Sequence, residues 1–98
     1  MNALAKQAQL TPDGATALVR KVVRDGTVAW SGCAMDHAEA DGLTTADCVQ
    51  ALLGGVSDPA VLKDGQWRYR VHSRRICVVL VFRSDVELVV VDVWKKCQ

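Results

Sequence analysis

The sequence predicts an α+β domain, with N-terminal helices packed on a C-terminal antiparallel β-sheet, and two features carry that prediction. Up to Gly55 the apolar residues recur at helical spacing between cap residues. From Ser57 the period drops to two, in valine-rich runs broken by turn dipeptides. A chain of 98 residues, half of them hydrophobic, can fill one modest core. A single domain over residues 1–98 is therefore expected. Residues 1–10, "MNALAKQAQL", carry little pattern and are expected as a loose arm or frayed helix.

The first helix is read from "TPDGATALVRKVVRDG". Thr11 is the N-cap, Pro12 the first helical residue, and Asp13 lies near the positive end of the dipole. Ala15, Leu18, Val19, Val22 and Val23 make one core stripe, and Gly26 ends the helix. "TVAWS", Thr27 to Ser31, is β-prone and expected as a short edge strand. "CAMDHAEADG" is Ala-rich and helical, with Gly42 just past its end. Thr44 with Asp47 three residues on resembles a capping box, opening a helix that presents Val49, Leu52 and Leu53 inward and stops at Gly54-Gly55.

In the second half, "PAVLK" and "QWRYRVH" flank Asp64-Gly65, a type I′ hairpin signal. "RICVVLVFR" and "VELVVVDVWKK" follow after tight turns near Ser73 and near Ser84-Asp85. These two runs are nearly continuous in apolar residues, which places them centrally in the sheet with both faces at least partly covered.

No apolar run approaches the ~20 residues that cross a bilayer, and the N-terminus lacks the pattern of a secretory signal. A cytoplasmic protein without membrane contact is the expectation. Residues 1–56 hold four basic and six acidic side chains, whereas residues 57–98 hold eight and five, so the second half is the cationic one. The cysteines, Cys33, Cys48, Cys77 and Cys97, form no CxxC and are expected as reduced, mostly packed thiols. Cys33 and His37 stand one helical turn apart and with Cys48 offer three zinc donors. That spacing fits no common finger or ribbon and lacks a fourth ligand, so core cysteines are favoured and no cofactor or metal is expected. His37 reads as a surface or capping residue, and Trp30, Trp67 and Trp94 as core or interface anchors.

The densest chemistry lies in "WRYRVHSRR". Trp67, Tyr69 and Val71 fall on one face of the strand, and Gln66, Arg68, Arg70 and His72 on the other. Such a face is commonly a solvated surface whose charges discourage edge pairing. It also suits phosphate: arginine grips two oxygens with a planar fork, and histidine exchanges a proton near neutrality.

The segments "LVRKVVRDGTV", "ADGLTTADCVQALLG", "SDPAVLK", "WRYRVHSRR" and "LVVVDVWKK" run in an order that resembles the RelE/ParE superfamily of small toxins, and within it the MqsR family. "DHAEADGLTTADC" is also similar to a related uncharacterised family of the same fold. The resemblance covers Leu18 to Lys96. It implies a RelE-like fold and a type II toxin: a metal-independent endoribonuclease that cuts messenger RNA, on the ribosome or free, and is held inactive by a cognate antitoxin. By the same resemblance, Lys63 matches the lysine after the Ser-Asp segment, and Lys95 the lysine after the aromatic residue closing the last strand. Arg68 stands where MqsR has a glutamine, and Cys77 where it has a tyrosine.

The catalytic set expected on this reading is Lys63, Arg68, His72 and Lys95, with Arg70, Arg74 and Arg75 as RNA- or phosphate-binding residues. His72 enters on its chemistry rather than on a matched motif. Metal-free RNA cleavage needs a base for the 2′-hydroxyl proton, cations around the phosphorane and an acid for the leaving 5′-oxygen. The alternative is a non-catalytic module of the same fold, binding an acidic protein segment or nucleic acid through the same face.

Overall fold

The computed structural model describes residues 9–96. Three helices and six strands follow one another as α1 (Pro12–Asp25), β1 (Thr27–Trp30), α2 (Gly32–Ala40), α3 (Thr45–Gly54), β2 (Val56–Ser57), β3 (Val61–Lys63), β4 (Gln66–His72), β5 (Ile76–Ser84) and β6 (Glu87–Lys95). The expected α+β architecture of helices on a sheet is present. Of the predicted N-terminal arm, only Gln9 and Leu10 fall within the described residues.

The helix boundaries follow from their caps. Thr11 accepts a hydrogen bond from the Gly14 N–H, and Pro12 opens α1. Ala15, Val19 and Val22 are buried, with Leu18 and Val23 packed beside them, as the stripe predicts. At α3 the Thr44 hydroxyl accepts from the Asp47 N–H at 3.1 Å, and the Asp47 carboxylate accepts from the Thr44 N–H at 2.9 Å. This hydrogen bond holds Asp47 below the usual carboxylate range. The buried stripe of α3 is Cys48, Ala51 and Leu52, with Val49 and Leu53 half-buried, so the face is turned slightly from the predicted one. Small side chains at 48 and 51 let this helix lie close on its neighbours. Arg20 joins α1 to α3, donating to the Leu53 and Gly55 carbonyls and satisfying orphan acceptors at the end of α3.

The sheet order is β1-β6-β5-β4-β2, with β3 pairing the first half of β4. The long strands β5 and β6 are central, as their apolar runs predict. The sheet is mixed rather than wholly antiparallel, because β1 lies parallel to β6 from Thr27↔Glu87 to Trp30↔Val90. Between β3 and β4, Asp64 (φ 54°) and Gly65 (φ 79°) occupy the left-handed region that a type I′ turn requires. Tyr69, Val71, Val78, Leu80, Phe82, Leu88, Val90 and Val93 meet Ala15, Val19, Val22, Ala34, Ala38, Cys48 and Leu52 in one core. Between Val79 and Leu80 the pairing with β6 steps from Asp92 to Val90, so Val91 is an extra residue. After this bulge Val93, not Asp92 or Trp94, returns to the helix side.

Gly26 packs where the end of α1 meets the β5–β6 turn, and a Cβ there would overlap the Val86 carbonyl oxygen. Gly54 closes α3 with open space around its Cα. Gly26→Ala is expected to lower stability by about 2–3 kcal/mol through forced backbone movement. Gly54→Ala should leave it unchanged or raise it by up to about 1 kcal/mol. Urea unfolding of both variants checks the contrast.

Candidate functional site

The sheet face turned away from the helices carries two adjoining clefts of about 300 and 250 Å³ that share Arg70 and Trp94. The first is lined by Asp58, Arg70, His72, Cys77, Trp94 and Lys96. The second adds Pro59, Val61, Lys63, Arg68 and Val79. Alternation along β4 places Arg68, Arg70 and His72 on this face and buries Tyr69 and Val71 on the other. Cross-strand pairing sets the rows: His72 beside Cys77, which is beside Trp94, and Arg70 beside Val79. The β3–β4 hairpin brings Lys63 to the rim. Two cations, Arg70 and Lys96, thus line the first cleft with one carboxylate, Asp58, and Lys63 and Arg68 line the second beside it.

Asp58 organises the first cleft. Its Oδ2 accepts from Arg70 Nε at 3.1 Å, and its Oδ1 lies 2.9 Å from His72 Nε2. On the other side of the ring, Lys96 Nζ lies 3.3 Å from His72 Nδ1 and donates to the Ser73 carbonyl at 2.6 Å. An ammonium can only donate and a carboxylate here accepts, so both contacts are satisfied when Nε2 carries the hydrogen and Nδ1 the lone pair. The imidazole is held in one orientation between a carboxylate and a cation. Beneath it, burial pushes the Cys77 thiol above its ordinary range, opposed by the charges of Arg70 and Lys96. Cys77 is buried beneath the ring as part of the cleft floor. In the second cleft the Arg68 Nε is buried and has no hydrogen-bond partner among the described residues, an orphan donor beside the open space.

Of the residues singled out from sequence, Lys63, Arg68, Arg70 and His72 come together. Lys95 does not. It pairs with Ile76, gives its backbone N–H to Asp41, and lines a separate cleft with Leu43, Asp47 and Arg75 on the helix side. The bulge at Val91 reverses the alternation, so Lys96 rather than Lys95 lies on the cationic face. Arg74 and Arg75 also lie away from the cationic face, in the β4–β5 turn beside Asp47, Gln50 and Gly54 of α3. Asp58 carried no pattern of its own beyond its place after Ser57 in "SDP".

A second cluster lies at the edge of β6. His37 Nδ1 is 2.5 Å from Asp92 Oδ1, and Cys33 Sγ is 3.9 and 4.0 Å from the two ring nitrogens. Cys48, the third zinc donor considered from sequence, is buried in the core and takes no part. Cys48 and Cys77 are packed as expected, whereas Cys33 is exposed, and Cys97 lies outside the described residues.

The hydrogen bond from His37 to Asp92, reinforced by the charge of Asp92, raises the His37 pKa above 6.5. A raised folded-state value gives a stabilisation that is complete below 6.5 and is lost as pH rises through the folded value. NMR titration is expected to place His37 above 6.5 and to return it to the ordinary value in Asp92→Asn. Compared with family models, with curated proteins and with solved structures, the chain matches none, so the chemistry of the cleft is the guide to its use.

Proposed function

We propose that the protein is a metal-independent endoribonuclease acting through the cationic cleft, in the manner of the RelE/ParE-like toxins its sequence resembles, with a cognate antitoxin and messenger RNA as partners. One observation carries the reading: a single imidazole, His72, is held between Asp58 and Lys96 in a cleft that also presents Arg70, beside a second cleft lined by Lys63 and Arg68.

The cleavage step follows from these positions. A phosphodiester entering the cleft draws the Lys96 ammonium toward its oxygens, away from its longer contact with His72 Nδ1. The freed Nδ1 lone pair takes the proton of the 2′-hydroxyl, while Asp58 holds the Nε2 hydrogen and stabilises the imidazolium that forms. The 2′-oxygen attacks phosphorus in line, the bond from phosphorus to the 5′-oxygen breaks, and the 5′-oxygen leaves with a proton from the Lys96 ammonium, giving a 2′,3′-cyclic phosphate. Arg68, Arg70 and Lys63 face the charge gathering on the phosphorane. The Arg68 guanidinium lines the second cleft and is a further donor for an incoming anion.

A second reading, phosphate binding without cutting, is favoured by the fact that Asp58 engages both Arg70 and His72 and so neutralises part of the cleft. The same face would then dock nucleic acid or an acidic protein segment. Single-stranded RNA incubated with the protein in chelator separates the two. On the first reading the RNA is cut to 2′,3′-cyclic ends, His72→Ala lowers the rate by roughly 10²–10⁴-fold, and Arg68→Ala lowers it without unfolding the protein. Full cleavage by His72→Ala would remove the imidazole from the mechanism. Intact RNA, bound with an affinity falling ~0.7 log unit per log unit of salt for each phosphate contact, would select the second reading.

A further inference from the structure

The Cys33, His37 and Asp92 cluster lines neither cationic cleft, and the proposed cleavage does not use it. We infer that these three side chains form a zinc-binding site, with its remaining coordination position open to water.

The argument begins with how the three are brought together. Cys33 and His37 stand at i and i+4 on α2, whose Ala34 and Ala38 are buried in the core, so the pair shares a neighbouring, exposed face of the helix. Strand β1 ends at Trp30 opposite Val90, which leaves the next stretch of the β6 edge for α2 to cover. Ser31 fixes the helix there: its hydroxyl caps α2 by accepting from Ala34 N and donates to the Val91 carbonyl at 3.2 Å, within the bulge. The bulge in turn delivers Asp92 to His37. The donor atoms of the three residues all lie within 4.8 Å of one another, inside the reach of small side-chain rotations toward one ion.

The donor set names the metal. Thiolate, imidazole and carboxylate are the ligand types of zinc, and three protein donors with one open position is the arrangement of non-structural zinc sites. A thiolate disfavours magnesium and calcium, which take oxygen donors. Asp92 is also supported from behind, since its Oδ1 accepts the Val93 N–H at 2.8 Å. That bond orients the carboxylate, and among the described residues its Oδ2 is engaged by no other group, which leaves it for the ion. Bound zinc would tie α2 to the bulge of β6, one residue pair away from Trp94 in the cationic cleft.

The test is titration of the metal-free protein with Zn²⁺ alone, followed by calorimetry, and with Co²⁺ as a spectroscopic probe. One equivalent is expected to bind. Cobalt should give a thiolate charge-transfer band and tetrahedral d–d bands, and zinc should slow alkylation of Cys33 measured peptide by peptide. Cys33→Ser and Asp92→Asn should each weaken binding by roughly 100-fold or more while leaving the fold intact by circular dichroism. His37→Ala should do the same. The absence of stoichiometric zinc binding overturns the inference, as does binding that survives in Cys33→Ser. Because RNA cleavage is assayed in chelator and on other residues, either result is independent of the fate of the nuclease reading.

Discussion

The constraint on which the rest depends is that the two central strands are apolar on both faces while the helices cover only one. Val78, Leu80, Phe82, Leu88, Val90 and Val93 meet the helices in the core. On the other face Cys77 is also buried and Val79 half-buried. That side is closed by the β3–β4 hairpin arm and by Arg68, Arg70, Lys63 and Trp94 around the clefts. Long cationic side chains suit this duty because their aliphatic stems lie over apolar surface while their charged heads reach water. The cover of a second apolar face and the lining of the cationic clefts are thus built from the same residues. This explains why a strand rich in arginine sits beside one rich in valine in a chain of net charge +1.

Asp58 sets the character of that face. Without it, Arg70 would lack its carboxylate partner and His72 would be held on one side only, by Lys96. Its two oxygens engage one each, so the imidazole ring and the guanidinium are ordered before any ligand arrives. Pre-ordering of this kind lowers the entropy lost when a ligand binds. Arg68 is the counterpart: its Nε is buried with no partner among the described residues, while its side chain lines the second cleft.

Much of this was legible in the sequence, and the rest was hidden for definite reasons. Caps and apolar periods located α1, α3 and the long strands, because Thr11, Thr44 and the Asp64-Gly65 turn act on their immediate neighbours, and the alanine-rich run located α2. The alternation in "QWRYRVH" gave the cationic face, since a strand's side chains alternate by geometry alone. The parallel pairing of β1 with β6 was not legible, because it joins residues about sixty positions apart and leaves no local mark. Lys95 entered by resemblance rather than by its place in the sheet, and no residue pattern announces the bulge at Val91 that turns it to the helix side. Asp58 went unseen because a lone aspartate in a loop gains meaning only from the strand folded against it.

The bulge at Val91 has consequences at both ends. Toward the C-terminus it turns Trp94 and Lys96 to the cationic cleft and Lys95 away from it. At its own position it accepts the Ser31 hydroxyl through the Val91 carbonyl and sets Asp92 against His37. A regular β6 would reverse the faces of Trp94 and Lys95 and take Asp92 out of its place beside α2. The distortion carries a cost in lost ladder hydrogen bonding, and bulges are commonly found where a strand must re-aim a side chain for use. Here it re-aims three of them, Asp92, Trp94 and Lys96. The irregular residue in an otherwise regular sheet is therefore the point at which the helix-covered core, the cationic cleft and the Cys33–His37–Asp92 cluster are joined.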